Sequence, residues 1–285
     1  MMAWVELKFS IWFICAEEVG SIRIPCKHPK LGLVFETYPI LHPHRILNYL
    51  FDVAGLKVDA EDVRAFWRHT RGVREPWAMA SPATDSHVPL GLHGDGARLL
   101  THVRFEKHVA LWLNLPLWRP KSVRFSRWLL FSMPNEKQYK NRSLNVVWNR
   151  LVWSFQACFD GVHPLHGPGG GGHRTRKDRA LAGTPLTRDR LQFVVTEIRG
   201  DWEFHRDVWR PTASWTGKVI CFKCPAMTKE VPWSGLAYNF GSCPEDGCQW
   251  INEEFTLEEF VANRLKSKNL CPLQREKHLS PKSWN

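Results

Sequence analysis

Four short apolar segments and one long amphipathic one follow each other between residues 88 and 198, and their order restricts the folds open to this chain. "VPLGL" (88–92), "HVALWLNLPLW" (108–118) and "VRFSRWLLFSMP" (123–134) are short and bounded by Gly, Pro or basic turns, which predicts three strands in an antiparallel meander. Residues 144–159 switch period. Leu144, Trp148, Leu151, Phe155 and Cys158 fall at steps of three and four and form one helical stripe, which Asp160-Gly161 closes. "LQFVVTEI" (191–198) returns to strand character, and "WEFHRDVW" (202–209) reads as a helical turn. The class implied is mixed α/β, a sheet with flanking helices.

Two aspartates occupy matching places in this pattern. Asp95, in "HGDG", closes the first strand, and Asp201, in "RGD", follows the fourth. If those strands are neighbours, both acids project from one edge of the sheet. Paired hard oxygen donors suit Mg²⁺ or Mn²⁺ and the two-metal hydrolysis or transfer of phosphodiesters. Candidates for a third acid are Glu203 and Asp207, or Glu253, Glu254, Glu258 and Glu259 further on. Asp beside Gly is also a common turn pair, so the motif alone does not separate a metal ligand from a bend.

Charge narrows the partners. The formal net charge is +11, and residues 98–190 hold 17 Lys and Arg against 5 Asp and Glu. The rest of the chain is almost balanced, so a localised basic field is expected to meet a polyanion, nucleic acid. Within it, "RPKSVRFSRW" (119–128) and "KQYKNR" (137–142) interleave cations with aromatics able to stack on bases. The 15 tryptophans read first as core residues and second as such stacking platforms.

Cys221, Cys224, Cys243 and Cys248 are spaced C-x2-C-x18-C-x4-C, which fits a structural four-thiolate Zn²⁺ site. "GKVICFKCPA" lacks the setting of a redox CxxC. Cys15, Cys26, Cys158 and Cys271 are expected to be small core residues.

The layout expected is an irregular and helical region at 1–80, a core at 86–215, a zinc element at 216–252, and a helix with an irregular tail at 253–285. Prolines at 25, 29, 39 and 43 point to an irregular start, with helical spacing at 46–51 and 60–69 and Asp59 as N-cap of the latter. Residues 163–190 read as a flexible, basic, Gly-rich linker, and loop character is favoured over metal binding for His163, His166 and His173. Glu6 and the short apolar run from Phe9 to Cys15 argue against a secretory signal, and no apolar run approaches bilayer length. A soluble intracellular protein is expected, with no membrane partner.

"VPLGLHGDGA", "VVWNRLVWSF", "RGDWEFHRDVW" and "SWTGKVICFKCPA" together resemble a family of transposon-derived proteins repeated in dinoflagellate genomes. Through it the chain is loosely similar, over roughly residues 20–250, to the Plavaka/KDZ-type transposases. That resemblance implies a ribonuclease H-like domain with a DDE acid triad, Asp95 as first acid and Asp201 as candidate second, a zinc element behind it, DNA as partner and a nuclear setting. It leaves the third acid unassigned, so it is compatible with a divergent nuclease or strand transferase or with a relic without catalysis. The competing readings are a non-enzymatic, zinc-stabilised nucleic-acid-binding module and a Trp-rich interaction scaffold.

Overall fold

The computed structural model describes residues 19–97, 107–120, 126–173, 175–201 and 204–205. Their order is β1 (Val19–His28), β2 (Gly32–Leu41), α1 (Pro43–Asn48) running into a π-helical turn (Tyr49–Val53), α2 (Ala60–Gly72) and α3 (Pro76–Ala80). Then follow β3 (Val88–Ala97), β4 (His108–Asn114), β5 (Arg127–Pro134), α4 (Lys140–Asp160), α5 (Arg176–Leu181) and β6 (Phe193–Gly200). The described residues form a mixed α/β arrangement: a two-stranded antiparallel sheet, a four-stranded mixed sheet and flanking helices.

The four-stranded sheet has the order β5-β4-β3-β6. β3, β4 and β5 form the expected antiparallel meander, and β6 returns parallel to β3 after α4 and α5. Helix α4 buries the stripe read from the sequence, with Leu144, Trp148, Leu151, Phe155 and Cys158 all at 2% exposure or less. Gly161 ends it at φ 67°, the left-handed conformation a side chain would oppose. Leu90, Leu92, Leu111, Leu113, Phe131 and Phe193 complete the core from the sheet. Asp59 caps α2, its carboxylate accepting the Glu61 N–H at 2.7 Å. No described helix is long and apolar enough to cross a membrane.

Three expectations are corrected. Residues 19–41 are a regular β-hairpin, not an irregular run: Ile22, Ile24, Cys26 and Ile40 are buried on one side. Its prolines are tolerated because each strand of a two-stranded ribbon has a side with no ladder to break, and Gly32 at φ 73° makes the turn. The stretch 163–190 carries α5 and is pinned by a bridge between Val162 and Pro185 and by the Arg45–Asp178 ion pair at 2.5 Å. Side-chain contacts supplied by α1 fix a segment whose composition alone reads as a flexible linker. Finally, the first strand does not stop at Leu92, and Asp95 lies within it rather than closing it. β3 runs on to Ala97, and neither Gly94 nor Gly96 has positive φ.

Candidate functional site

Strand alternation sends His93 and Asp95 to one side of β3 and Leu90, Leu92 and Gly94 to the other. Register then builds a lattice on the His93 side. Glu197, Gly91, Asn114 and Arg127 form one row across the strands, and Arg199, His93, Trp112 and Leu129 form the next. A third row holds Asp95, Ala110 and Ser132. The parallel ladder ends where Gly94 pairs with Gly200; Asp95 follows within β3, and Asp201 is the first residue past β6.

The contacts fit this register. His93 and Trp112 pack with ring centroids 5.5 Å apart. The absence of a side chain at Gly91 leaves the space that Asn114 and Glu197 fill, their Nδ2 and Oε1 3.4 Å apart. Arg199 pairs with Glu197 at 2.8 Å and keeps 61% of its side chain exposed. On the opposite side, the Phe204 ring lies over Gly94 and Gly200 and occupies the space a Cβ at either would need. Phe204 is held there because Asp201 Oδ1 accepts its backbone N–H at 2.6 Å, and His205 N–H continues the helical turn to the Asp201 carbonyl at 3.0 Å.

Burial and the nearby Arg127 hold the His93 imidazole below its ordinary pKa, Arg199 acts in the same sense, and Asp95 and Asp201 oppose them. Neutral at pH 7, His93 carries a buried Nδ1 with no hydrogen-bond partner among the described residues. The face thus combines the Asp95 and Glu197 carboxylates, one neutral imidazole, two guanidinium groups and an indole, with Asp201 just beyond the end of β6. His93, Trp112, Glu197 and Arg199 were not singled out from the sequence. Polar residues at alternate positions of "GLHGD" and "LWLN" were the available signal.

A second polar pocket lies behind α1. His44, His163 and His173 line it with Arg45, Lys177 and Asp178. His44 is fully buried, its Nδ1 2.7 Å from Ser154 Oγ. His166, grouped with His163 and His173 in the sequence, instead uses its carbonyl to accept the Trp153 Nε1–H at 3.0 Å.

Among the described residues no group of three or more His, Cys, Asp or Glu is placed to hold a metal ion. The four zinc-spaced cysteines and every candidate third acid, Glu203, Asp207, Glu253, Glu254, Glu258 and Glu259, lie outside the described residues, as do Cys15 and Cys271. Cys26 and Cys158 are buried in the core as expected. No family model matches the chain, and no curated protein or solved structure shows significant similarity to it.

Proposed function

We propose that this chain is a transposase-derived, ribonuclease H-like protein that binds nucleic acid and cuts or transfers phosphodiester bonds at Asp95 and Asp201. The observation that carries the reading is the parallel pairing of β3 with β6, whose register runs to Gly94 and Gly200, one residue short of both acids. The sheet order β5-β4-β3-β6, a three-stranded meander followed by a helix and a parallel fourth strand, supports the ribonuclease H-like assignment. The donor set fits a divalent ion in kind, with one carboxylate on β3, the other on the residue that follows β6, and the second Asp201 oxygen uncommitted among the described residues. A bound Mg²⁺ or Mn²⁺ would activate a water or hydroxyl nucleophile and stabilise the leaving oxygen. The chain's own part is to hold the two acids in register, with a neutral His93 beside them and Arg127 and Arg199 able to engage phosphate. A structural Zn²⁺ on Cys221, Cys224, Cys243 and Cys248 belongs to the same proposal, and Cys221→Ser is expected to lower the zinc content of the purified protein.

The test is cleavage of labelled DNA in Mn²⁺ by the wild type, Asp95→Asn and Asp201→Asn, each checked for folding by circular dichroism. Loss of cleavage in both folded variants is expected. Equal cleavage in all three proteins, or none in the wild type, would remove the acids from catalysis. One observation favours the alternative of a non-enzymatic nucleic-acid-binding module. The Asp201 carboxylate already accepts the Phe204 backbone N–H, a structural role that explains the residue without chemistry.

A further inference from the structure

The polar pocket behind α1 adjoins an apolar groove, and we propose that the two together bind a small monocarboxylic acid, its carboxylate in the pocket and its apolar body in the groove. The proposal uses neither Asp95 nor Asp201 and stands apart from the function proposed above.

Three helices frame the pocket: α1 supplies His44 and Arg45, α4 supplies Trp153, and α5 supplies Lys177 and Asp178. His44 is set by Ser154. The Ser154 hydroxyl accepts the His44 backbone N–H at 3.1 Å, and His44 Nδ1, 2.7 Å away, is the acceptor it has for its own hydrogen among the described residues. The proton of a neutral His44 ring therefore sits on Nε2, at the other edge of the imidazole. Burial holds the His44 pKa well below the ordinary range, and His42, Arg45, His163 and His173 act in the same sense, so positive charge predominates around it. His173 lines the same pocket, and its Nε2 is buried with no hydrogen-bond partner among the described residues. These histidines are not placed to hold a metal ion, which leaves hydrogen bonding to an acceptor. Arg45 and Lys177 against Asp178 leave the lining one positive charge in excess. Size selects the acceptor. The cavity measures about 30 Å³, and one water needs about 10–15 Å³, so two or three oxygen atoms fit it. A carboxylate has two, whereas a phosphate has four.

The adjoining groove measures about 400 Å³, within the range of small-molecule sites. It shares Trp153, His163 and Pro164 with the pocket, so one molecule lying along them reaches both. Val152, Ala157, Val162 and Leu165 give it apolar walls, and Leu165 is 65% exposed. The one acid on its lining, Asp160, is exposed and accepts the Gln156 Nε2–H at 2.9 Å. The walls are held by the fold itself. Trp153 donates its Nε1–H to the His166 carbonyl at 3.0 Å and meets the His42 and His44 rings edge-on, with centroids 5.3 and 5.1 Å apart. The Gly167 N–H closes the loop beyond onto the Gly171 carbonyl at 2.7 Å. Walls fixed in this way leave a ligand little ordering entropy to overcome.

Binding is measured by titration calorimetry of the full chain with phenylbutyrate and with octanoate, and with phenylbutyramide, which keeps the body and lacks the charge. Both acids are expected to saturate one site per chain, and the amide to bind about tenfold or more weakly. His173→Ala and Lys177→Ala are each expected to weaken the acids about tenfold and to leave the amide within about twofold. A role confined to stability would not change that ratio. Leu165→Asp, at an exposed position, is expected to weaken acids and amide together. Absence of saturable binding of both acids up to about 10 mM would overturn the proposal. So would equal binding of acid and amide, unchanged binding by a folded His173→Ala variant, or displacement of phenylbutyrate by an equal concentration of inorganic phosphate. None of these outcomes depends on cleavage of DNA.

Discussion

A methyl group at Gly94 would fall inside the ring of Phe204, whereas one at Gly96 would meet nothing within 4 Å. The two glycines flank the same aspartate, yet only one is required. Gly94→Ala is expected to destabilise the fold by about 1–3 kcal/mol, the range for overpacking. Gly96→Ala should be neutral or stabilise by up to about 1 kcal/mol, because its backbone is extended and alanine loses less entropy. Urea unfolding of the two variants checks this, and equal midpoints would contradict it. Here the sequence misleads for a definable reason. Glycine on both sides of an aspartate is a turn signal, because local rules credit glycine with positive φ. The requirement at Gly94 is instead for space above the sheet, and it comes from Phe204, over a hundred positions later. The same applies to Gly91, whose missing side chain lets Asn114 approach Glu197.

At the scale of elements, what was legible depended on whether the signal was local. The stripe of α4 was readable because one helix face packs on the core, and Phe155 on that face is 1% exposed. Phe155→Ala is expected to cost about 3–5 kcal/mol, the range for a buried aromatic, read as the loss in unfolding free energy in urea. The cap of α2 was equally local, and Asp59→Ala is expected to cost about 1 kcal/mol by the same measurement. The β1–β2 hairpin was missed because proline is scored as a breaker without knowing that a two-stranded ribbon leaves it a free side. The pairing of β3 with β6 was only conditional in the sequence. β6 could have joined either edge of the meander, and joining β3 rather than β5 sets its end beside the strand that carries Asp95. Strand choice is set by packing of α4 and the core, which no short window contains.

Across the whole molecule, buried imidazoles tie stability to pH. Burial is the leading cause in each case: it pushes His42 down to about 3, His44 well below the ordinary range, and His87, His93 and His205 downward as well. These groups come from α1 and its N-cap residue, from β3 and the turn before it, and from the turn after β6, so the effect belongs to no single site. The sign follows from proton uptake. Above about pH 6.5 these imidazoles are neutral whether the chain is folded or not, and their contribution to stability is complete. Below it the unfolded chain takes up protons that the folded chain refuses, so stability falls as pH falls. For His42 the loss continues down to about pH 3. Each such histidine contributes at most about 1.4 kcal/mol per pH unit in that window. Carboxylates enter later: Glu36, lowered by its hydrogen bond to Lys137, adds to the loss only as pH drops below its ordinary value of 4.5. Between pH 6.5 and 5 the slope therefore belongs mainly to the histidines. Urea unfolding from pH 8 to 5 should give a plateau above 6.5 and a decline below it, and His44→Gln should flatten the decline even where it lowers the plateau. A profile flat to pH 5 in the wild type would contradict the burial of these rings, and with it the seating of α1 on Ser154 and α4.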